Sequence, residues 1–251
     1  MEFWQNIYSH FNPVAFSIGD IAVHWYGIMY ALALLSAIFI AKWFIKYDNI
    51  NISQDIFDSY IWWAEIGVIL GARLGYILFY DSNTTYYLTN PWQIFNPYVN
   101  GTYVGIAGMS YHGAFIGFII ASILFCKRKN ISFWFITDIA VLGISAAYVF
   151  GRIGNFFNQE LVGRVTDVSW GIYVDGILRH PSQLYEAFLE GIVVFLILVY
   201  FRNRKKFDGQ LAIMYGIFYT IARIIAEFYR QPDPQIGFIA GNWLTMGILQ
   251  S

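Results

Sequence analysis

Residues 133–163 read FWFITDIAVLGISAAYVFGRIGNFFNQELVG, a long apolar run with a polar end. The polar end contains Arg152, Asn155, Asn158 and Glu160. Ionisable groups are costly inside a bilayer, so at such a depth they usually face a polar cavity and mark a functional site. The alternative is an arginine whose stem is buried while its charged head reaches the interface. Two asparagines and a carboxylate near Arg152 favour a site.

The rest of the chain has the same apolar character. Hydrophobic residues make up 58% of it and charged residues 12%, whereas a soluble domain has about 25% charged residues. Apolar runs approach the roughly 20 residues that a bilayer requires, and they lack the alternation of barrel strands. We therefore predict an all-α polytopic membrane helix bundle, organised as a single transmembrane domain over residues 1–251. The six predicted spans lie near residues 20–44, 57–80, 104–126, 133–157, 183–201 and 210–229.

Several classes of protein are disfavoured by composition. The single cysteine, Cys126, excludes an intramolecular disulfide and cysteine-based metal motifs. We expect no metal and no cofactor, and nothing indicates binding to nucleic acid. Residues 1–19 contain no Lys or Arg, and the first span is longer than the apolar core of a signal peptide, so no cleavable signal is expected.

The distribution of basic residues predicts the orientation, because Lys and Arg accumulate in cytoplasmic loops. All six lysines follow spans one, three and five, whereas the long loop of residues 81–103 has no basic residue. The N-terminus is therefore predicted outside. The lysines are Lys42, Lys46, Lys127, Lys129, Lys205 and Lys206.

This orientation predicts the depth of each unusual polar residue, since a helix rises about 1.5 Å per residue. Residues of five different spans fall at one level, in the outer leaflet. Independent snorkelling would leave some of them near the inner face, so the shared level favours one polar chamber. The residues are His24, Tyr26, Arg73, His112, Arg152, Asn155, Tyr219, Arg223 and Glu227.

The sixth span carries the strongest local pattern. Spacings of four, four and three place Tyr219, Arg223, Glu227 and Arg230 on one helical face. An Arg223–Glu227 ion pair that only neutralises both charges is the alternative interpretation. A guanidinium oriented by a carboxylate and a phenol is also a good phosphate ligand, because its planar fork binds two oxygens.

Other motifs have equally good structural explanations. His112 is interpreted either as a buried, satisfied histidine or as a base, and Ser110 belongs to no nucleophile elbow. His24-Trp25-Tyr26 is typical of an aromatic belt at the interface. A proline turn and a helix N-terminus explain residues 180–186, in which Glu186 is favoured by the helix dipole. The acids Glu65, Asp138 and Glu190 are expected to pair structurally.

Six segments resemble the prolipoprotein diacylglyceryl transferase family, in the same order and at the same spacing. The resemblance implies an enzyme of the bacterial inner membrane with seven spans and a site open to the periplasmic leaflet. Its partners would be phosphatidylglycerol, membrane lipids and a prolipoprotein signal peptide with a lipobox cysteine. The diacylglyceryl group would pass to the cysteine thiol as a thioether, with release of glycerol 1-phosphate. The segments are residues 24–27, 71–76, 110–113, 151–163, 180–186 and 223–233.

The resemblance also implies roles for residues. Arg152 and Arg223 would cradle the phosphate leaving group, and His112 would either act as the base for the thiol or position the lipid. The proposed substrate-binding residues are Tyr26, Asn155, Glu160, Gly163, Tyr219, Glu227, Arg73 and His24.

The sequence departs from the family at two places. Ala114 stands where the family usually has a second glycine after His112-Gly113, and residues 243–251 are too few to form a seventh span. From the sequence we therefore expect a truncated chain with reduced stability and activity. There are two competing interpretations. One is a transporter or lipid flippase, which needs a polar path to both faces, and the other is a catalytically silent scaffold.

Overall fold

A computed structural model describes residues 2–19, 21–99, 102–103, 108–232, 237–241 and 244–249. Helices dominate the described chain, as predicted. The helices are α1 (Glu2–Gln5), a 3-10 turn (Ile7–His10), α2 (Trp25–Tyr47), α3 (Gln54–Phe79), α4 (Thr84–Thr89), a 3-10 turn (Pro91–Gln93), α5 (Tyr111–Lys129), α6 (Phe133–Phe157), α7 (Ser182–Glu186), a π-helical turn (Ala187–Val193), α8 (Val194–Phe201), α9 (Gln210–Glu227) and α10 (Met246–Leu249). The strands are β1 (Val14–Ile18), β2 (Ile21–His24), β3 (Tyr98–Val99), β4 (Thr102–Tyr103), β5 (Ile172–Val174), β6 (Ile177–Arg179), β7 (Phe238–Ala240) and β8 (Leu244–Thr245).

Five described helical segments are long and apolar enough to cross a membrane, one fewer than the six predicted. The sixth predicted span corresponds to α9, an 18-residue helix that is not among the five. Its apolar sequence is interrupted by Arg223 and Glu227. The multi-span helical protein is confirmed, with this smaller number of clear spans. The five are α2, α3, α5, α6 and the continuous segment Ser182–Phe201.

Two spans begin later than the sequence predicted. The apolar residues of Ile21–His24 form β2, which pairs antiparallel with β1 from Ile18↔Ile21 to Val14↔His24, so the first span begins at Trp25. The third begins at Tyr111 because Ser110 is extended and its hydroxyl accepts a 3.1 Å hydrogen bond from the Gly113 N–H. This is a serine N-cap. The predicted residues 104–107 lie outside the described chain.

The sequence did not predict four short antiparallel hairpins in the described chain. Their pairs are β1–β2, β3–β4, β5–β6 and β7–β8. In the third, residues 175 and 176 form the turn with positive φ angles of 51° and 77°. An Asp-Gly turn of this kind matches the right-handed twist of the two strands.

The chain forms two compact units. The first unit comprises residues 1–50 and 134–251, and the second comprises residues 51–133. The single transmembrane domain expected from the sequence stays a prediction.

In the second unit, α3 and α5 pack through glycines. A Cβ atom at Gly71 would lie 2.8 Å from the Cα of Gly117, and one at Gly75 would lie 2.7 Å from the Cα of Gly113. Glycines at this spacing let helix backbones approach within a membrane, where packing and hydrogen bonds replace the hydrophobic effect. The buried hydroxyls of Tyr60 and Ser122 add a 3.1 Å hydrogen bond between the same helices.

We expect Gly71→Ala to lower stability, because its methyl group would overlap the backbone of α5. Overpacking of this kind costs about 1–3 kcal/mol. Thermal unfolding in detergent micelles should show a midpoint several degrees below that of the parent protein. Gly216→Ala is the matched control, since a Cβ atom there meets no atom within 4 Å. An unchanged midpoint for Gly71→Ala would contradict the packing of α3 on α5.

In the first unit, a buried apolar core joins α2, α6, α8 and α9. Its members are Phe44, Val141, Leu142, Val194, Leu198, Leu211 and Ala222.

A polar anchor lies beside this core, near the start of α6. The buried Asp138 carboxylate accepts hydrogen bonds from Lys205 Nζ at 2.9 Å and from the N–H groups of Gly209 and Ala212 at 3.0 and 3.1 Å. Burial lowers the pKa of Lys205, but its bonds to Asp138 and Asp208 outweigh this and raise the pKa above its usual value. Asp138 thus caps the N-terminus of α9 from a neighbouring helix, and the structural pairing expected for this acid is present.

Candidate active site

Six charged side chains meet where α6, α7, the π-helical turn and the end of α9 come together in the first unit. We call these residues the ionic cluster. They are Arg152, Glu186, Glu190, Arg223, Glu227 and Arg230.

Glu186 bridges the three arginines of the cluster. Its Oε2 lies 2.8 Å from Arg152 Nη1 and 3.4 Å from Arg223 Nη1, and its Oε1 lies 4.0 Å from Arg230 Nη1. The Glu186 side chain is fully buried. Because an unpaired buried carboxylate is costly, removing any of these partners would destabilise the arrangement.

Glu190 forms a second bridge behind the same arginines. It is also fully buried, and it lies 3.8 Å from Arg152 Nη2 and 3.7 Å from Arg223 Nη1. It accepts a hydrogen bond from the Tyr148 hydroxyl. The π-helical turn that carries Glu190 is a distortion often found at functional sites.

The Arg223–Glu227 ion pair predicted within α9 is present, with 2.6 Å between Arg223 Nη2 and Glu227 Oε2. The Thr245 hydroxyl donates a 2.9 Å hydrogen bond to Glu227 Oε1. Thr245 is buried, so the segment that contains β8 and α10 also holds this carboxylate in place.

The prediction that Arg230 lies on the same helical face as Arg223 and Glu227 is wrong. The helix ends at Glu227, and Arg230 forms an antiparallel bridge with Gly163. Arg230 therefore reaches Glu186 from beyond the helix. Tyr219 lies on α9, and its hydroxyl is 3.4 Å from that of Tyr148.

The cations, rather than the acids, form the accessible side of the ionic cluster. The exposed fractions of the Arg152, Arg223 and Arg230 side chains are 14%, 11% and 12%, whereas those of Glu186 and Glu227 are 0% and 4%. Three arginines and three glutamates balance in formal charge. A ligand that approaches the cluster nevertheless meets guanidinium groups first, and guanidinium groups bind phosphate oxygens in pairs.

The loop after α6 is fixed by its polar residues. The Asn155 amide donates a 2.7 Å hydrogen bond to Glu160 Oε1, and Arg152 Nη1 lies 3.5 Å from Asn155 Oδ1. The fully buried Gln183 donates to the Glu160 carbonyl at 2.5 Å. Asn155 and Glu160 therefore extend the polar surface next to Arg152.

Gly163 packs directly against His180. The Gly163 N–H donates a 3.1 Å hydrogen bond to the His180 carbonyl, and a Cβ atom at Gly163 would lie 2.7 Å from the His180 Cβ. The His180 ring contacts Tyr185 and Tyr229. Burial lowers the pKa of His180, although the charge of Asp167 opposes the shift. No larger residue fits at position 163 without moving this segment.

Tyr26 and His24 lie at the start of α2. Tyr26 packs beside Gly154, where a Cβ atom would lie 3.3 Å from the Tyr26 ring. Gly154 precedes Asn155, so the chain places Tyr26 close to the polar end of α6. His24 is exposed and immediately precedes the helix, as the last residue of β2.

His112 lies in the first turn of α5, in the second unit. Its ring is exposed and contacts the ring of Tyr111 edge-on at 5.8 Å. Because the side chain is exposed, the alternative of a buried, satisfied histidine is not supported. The position of His112 is set by the Ser110 cap and by the packing of Gly113 on α3.

Arg73 is buried in the second unit, and its guanidinium binds backbone carbonyls. It donates to Ile94 O at 2.6 Å and to Gly108 O at 3.2 Å. The Ser110 N–H donates to the Ala72 carbonyl at 2.9 Å. Arg73 and its neighbour thus hold the segment that leads into the helix of His112.

The sequence did not single out three residues that hold the arginines. Tyr148 belongs to none of the sequence motifs, Glu186 has an explanation in the helix dipole, and Glu190 is expected only to pair structurally. Each pair of positions, 148 with 152 and 186 with 190, has the spacing of four that places residues on one helical face. That spacing, applied to polar residues within apolar runs, is the signal that could have identified them.

Among the described residues, no group of three or more His, Cys, Asp and Glu side chains is placed to hold a metal ion. The fold and the ionic cluster define a helical membrane protein with accessible arginines at one end of its first unit. A family model described as prolipoprotein diacylglyceryl transferase matches residues 13–251.

Curated relatives match over the whole chain. A phosphatidylglycerol–prolipoprotein diacylglyceryl transferase of Aliarcobacter butzleri (strain RM4018) is 80% identical over 251 residues, which are 100% of this chain and 92% of the relative. A protein of the same name from Campylobacter jejuni (strain 81-176) is 63% identical over 100% of this chain and 92% of its own length. The one from Campylobacter curvus is 59% identical over 100% and 93%. The chain belongs to the prolipoprotein diacylglyceryl transferase family.

Proposed function

We propose that this protein transfers the diacylglyceryl group of phosphatidylglycerol to the thiol of a lipobox cysteine in a prolipoprotein signal peptide. The sulfur forms a bond to the glycerol carbon that carries the phosphate. The carbon–oxygen bond to the phosphate breaks, and its electron pair leaves with glycerol 1-phosphate. The thiol proton passes to a base. Membership of the family and the names of the relatives support this reaction.

The observation that carries the proposal is the accessible arginine face of the ionic cluster. Negative charge grows on the phosphate as the carbon–oxygen bond breaks. Fixed cations stabilise such developing charge strongly where water is excluded and the dielectric constant is low. Arg152 and Arg223 are the catalytic cations in this mechanism. Because Glu186 and Glu190 are buried behind them, the two guanidiniums are held in place before the lipid binds.

We assign the base to His112, since a thiol with a pKa near 8.5 must lose its proton to attack. Its exposure in the first turn of α5 supports this role. Arg73 is also proposed as a substrate-binding residue; within the second unit its guanidinium holds the segment before α5. The remaining substrate-binding residues of the proposal are Tyr26, His24, Asn155, Glu160, Gly163, Tyr219 and Glu227.

We further propose that the protein lies in the bacterial inner membrane with its site in the outer leaflet. The positive-inside rule supports this orientation, because it places the basic segment around Lys205 at the cytoplasmic face. Lys205 pairs with Asp138, so the start of α6 lies at the same face. Arg152 lies 14 residues further along the same helix, which corresponds to about 21 Å. The ionic cluster and the basic segment therefore lie near opposite faces of the membrane.

The observed pairing of Asp138 argues against the flippase. A flippase needs polar groups along a path to both faces. The Asp138 carboxylate is instead occupied by Lys205 and by the N-terminus of α9.

The reaction is tested with purified protein in vesicles of phosphatidylglycerol and a synthetic lipobox peptide. Mass spectrometry should show one diacylglyceryl group on the peptide cysteine, and glycerol phosphate should appear in equal amount. A peptide with serine in place of the cysteine, and vesicles of phosphatidylcholine, are the controls. Lipid movement between leaflets without peptide modification would reject the transferase and favour a flippase.

A further inference from the structure

Tyr148 connects Arg152 to the buried acids of the ionic cluster. It lies one helical turn before Arg152 on α6. Its hydroxyl accepts hydrogen bonds from Arg152 Nε at 2.8 Å and from Arg152 Nη2, and it donates to Glu190. The Arg152 guanidinium also lies over the Tyr148 ring, 4.9 Å from its centroid.

Local packing brings Tyr148 and Glu190 within reach of each other. The neighbouring residues Val149 and Gly191 touch, and a Cβ atom at Gly191 would lie 3.2 Å from the Val149 backbone nitrogen. This close approach of α6 to the π-helical turn requires a glycine. The Tyr148 ring also makes an edge-on contact with Tyr219, at 5.5 Å between centroids.

The hydrogen bonds to the Tyr148 hydroxyl occupy one edge of the Arg152 guanidinium. The Nε and Nη2 donors on that edge bind the phenol, while Nη1 lies 2.8 Å from Glu186. A guanidinium bound in this way cannot rotate about its stem without breaking two hydrogen bonds and the contact with the ring. Its remaining donors therefore keep one direction.

We propose that Tyr148 is a positioning residue that fixes the direction of the Arg152 guanidinium toward the phosphate of the lipid. The inference rests on the proposed function, in which Arg152 stabilises the leaving phosphate. Orientation matters most in the transition state, where the charge on the phosphate is largest. Loss of the Tyr148 hydroxyl should therefore affect kcat more than KM.

The test uses Tyr148→Phe, which keeps the ring and removes the hydroxyl. We expect kcat for peptide modification to fall about 10-fold to 100-fold, as for the loss of hydrogen bonds to charged groups, with KM for phosphatidylglycerol changed less than about 3-fold. Tyr200→Phe is the matched control, because this exposed tyrosine lies at the end of the segment Ser182–Phe201, away from Glu186 and Glu190 near its start. A folded Tyr148→Phe protein with the kcat of the parent, or with a loss confined to KM, would overturn the inference.

A second variant keeps the test decisive if Tyr148→Phe does not fold. Tyr148→Gln removes the ring, and its shorter side chain does not reach both partners of the phenol, so we expect kcat to fall at least about 10-fold, as for the loss of hydrogen bonds to charged groups. A folded Tyr148→Gln protein with the kcat of the parent would reject the role of the hydroxyl. Arg152→Lys, measured in parallel, separates the two claims: parent activity there rejects the role of Arg152, whereas loss there with a normal Tyr148→Phe rejects only the role of Tyr148.

Discussion

Arg223→Lys is expected to lower kcat about 100-fold to 1000-fold, the range seen when one donor to a developing anion is removed. The substitution keeps the charge, but a lysine has a single ammonium group in place of the planar fork. Arg223 uses that fork to contact Glu227 through Nη2 and both Glu186 and Glu190 through Nη1. One ammonium group cannot satisfy three carboxylates and a phosphate together.

The measurement is the initial rate of peptide modification at saturating phosphatidylglycerol, normalised to folded protein. Arg202→Lys is the matched control, because Arg202 pairs with Asp48 at 3.0 Å outside the ionic cluster. It should retain at least about half of the parent rate, as expected for a partly exposed ion pair. A rate near that of the parent in Arg223→Lys would show that a point charge at this position suffices.

His112→Gln is expected to lower kcat about 100-fold or more at neutral pH, which is the typical contribution of a positioned general base. The change should leave folding intact, since the side chain is exposed and the Ser110 cap does not depend on it. His10→Gln is the control, because His10 is exposed and stacks on Phe3 at 5.2 Å.

The pH dependence of this defect separates a base from a residue that positions the lipid. A free thiol ionises near pH 8.5, so above that pH the peptide cysteine no longer needs a base. If His112 is the base, the difference between parent and variant should shrink as pH rises from 7 to 9.5, in the direction set by thiol ionisation. A constant difference across that range would assign His112 to positioning.

The sequence contained enough information to find two cations of the ionic cluster and the ion pair within α9. Arg152 ends an apolar run, and Arg223 and Glu227 have the spacing of one helical turn. Both signals are local, so periodicity and the cost of charge in a membrane are sufficient to read them. The same local character explains why the first and third spans were predicted to begin too early, before Trp25 and Tyr111. An apolar segment before a helix has no periodicity that separates a strand or a loop from the first turn of the helix.

The spacing of four marks Glu186 and Glu190 as residues of one helical face, but it does not say which arginines they pair with. Glu186 follows a proline turn and begins a helix, so its sequence context is fully explained without a partner. Its contacts are with residues 34, 37 and 44 positions away. Such pairings depend on which helices are neighbours and at what register, and a single sequence does not encode that in any local pattern.

By itself, the amino-acid sequence determined that this is a helical membrane protein and which of the segments between its spans are basic. It also determined that Arg152 and Arg223 are costly enough in a membrane to require partners. Only the tertiary structure decided the other partners: Glu186, Glu190 and Tyr148 for Arg152, and Glu186 and Glu190 for Arg223, whose pairing with Glu227 the sequence already predicted. The physical reason is that the free-energy cost of a charge within an apolar span can be read from the residues next to it in the chain. The groups that satisfy it are chosen by close helix packing, as at Gly191 and Val149.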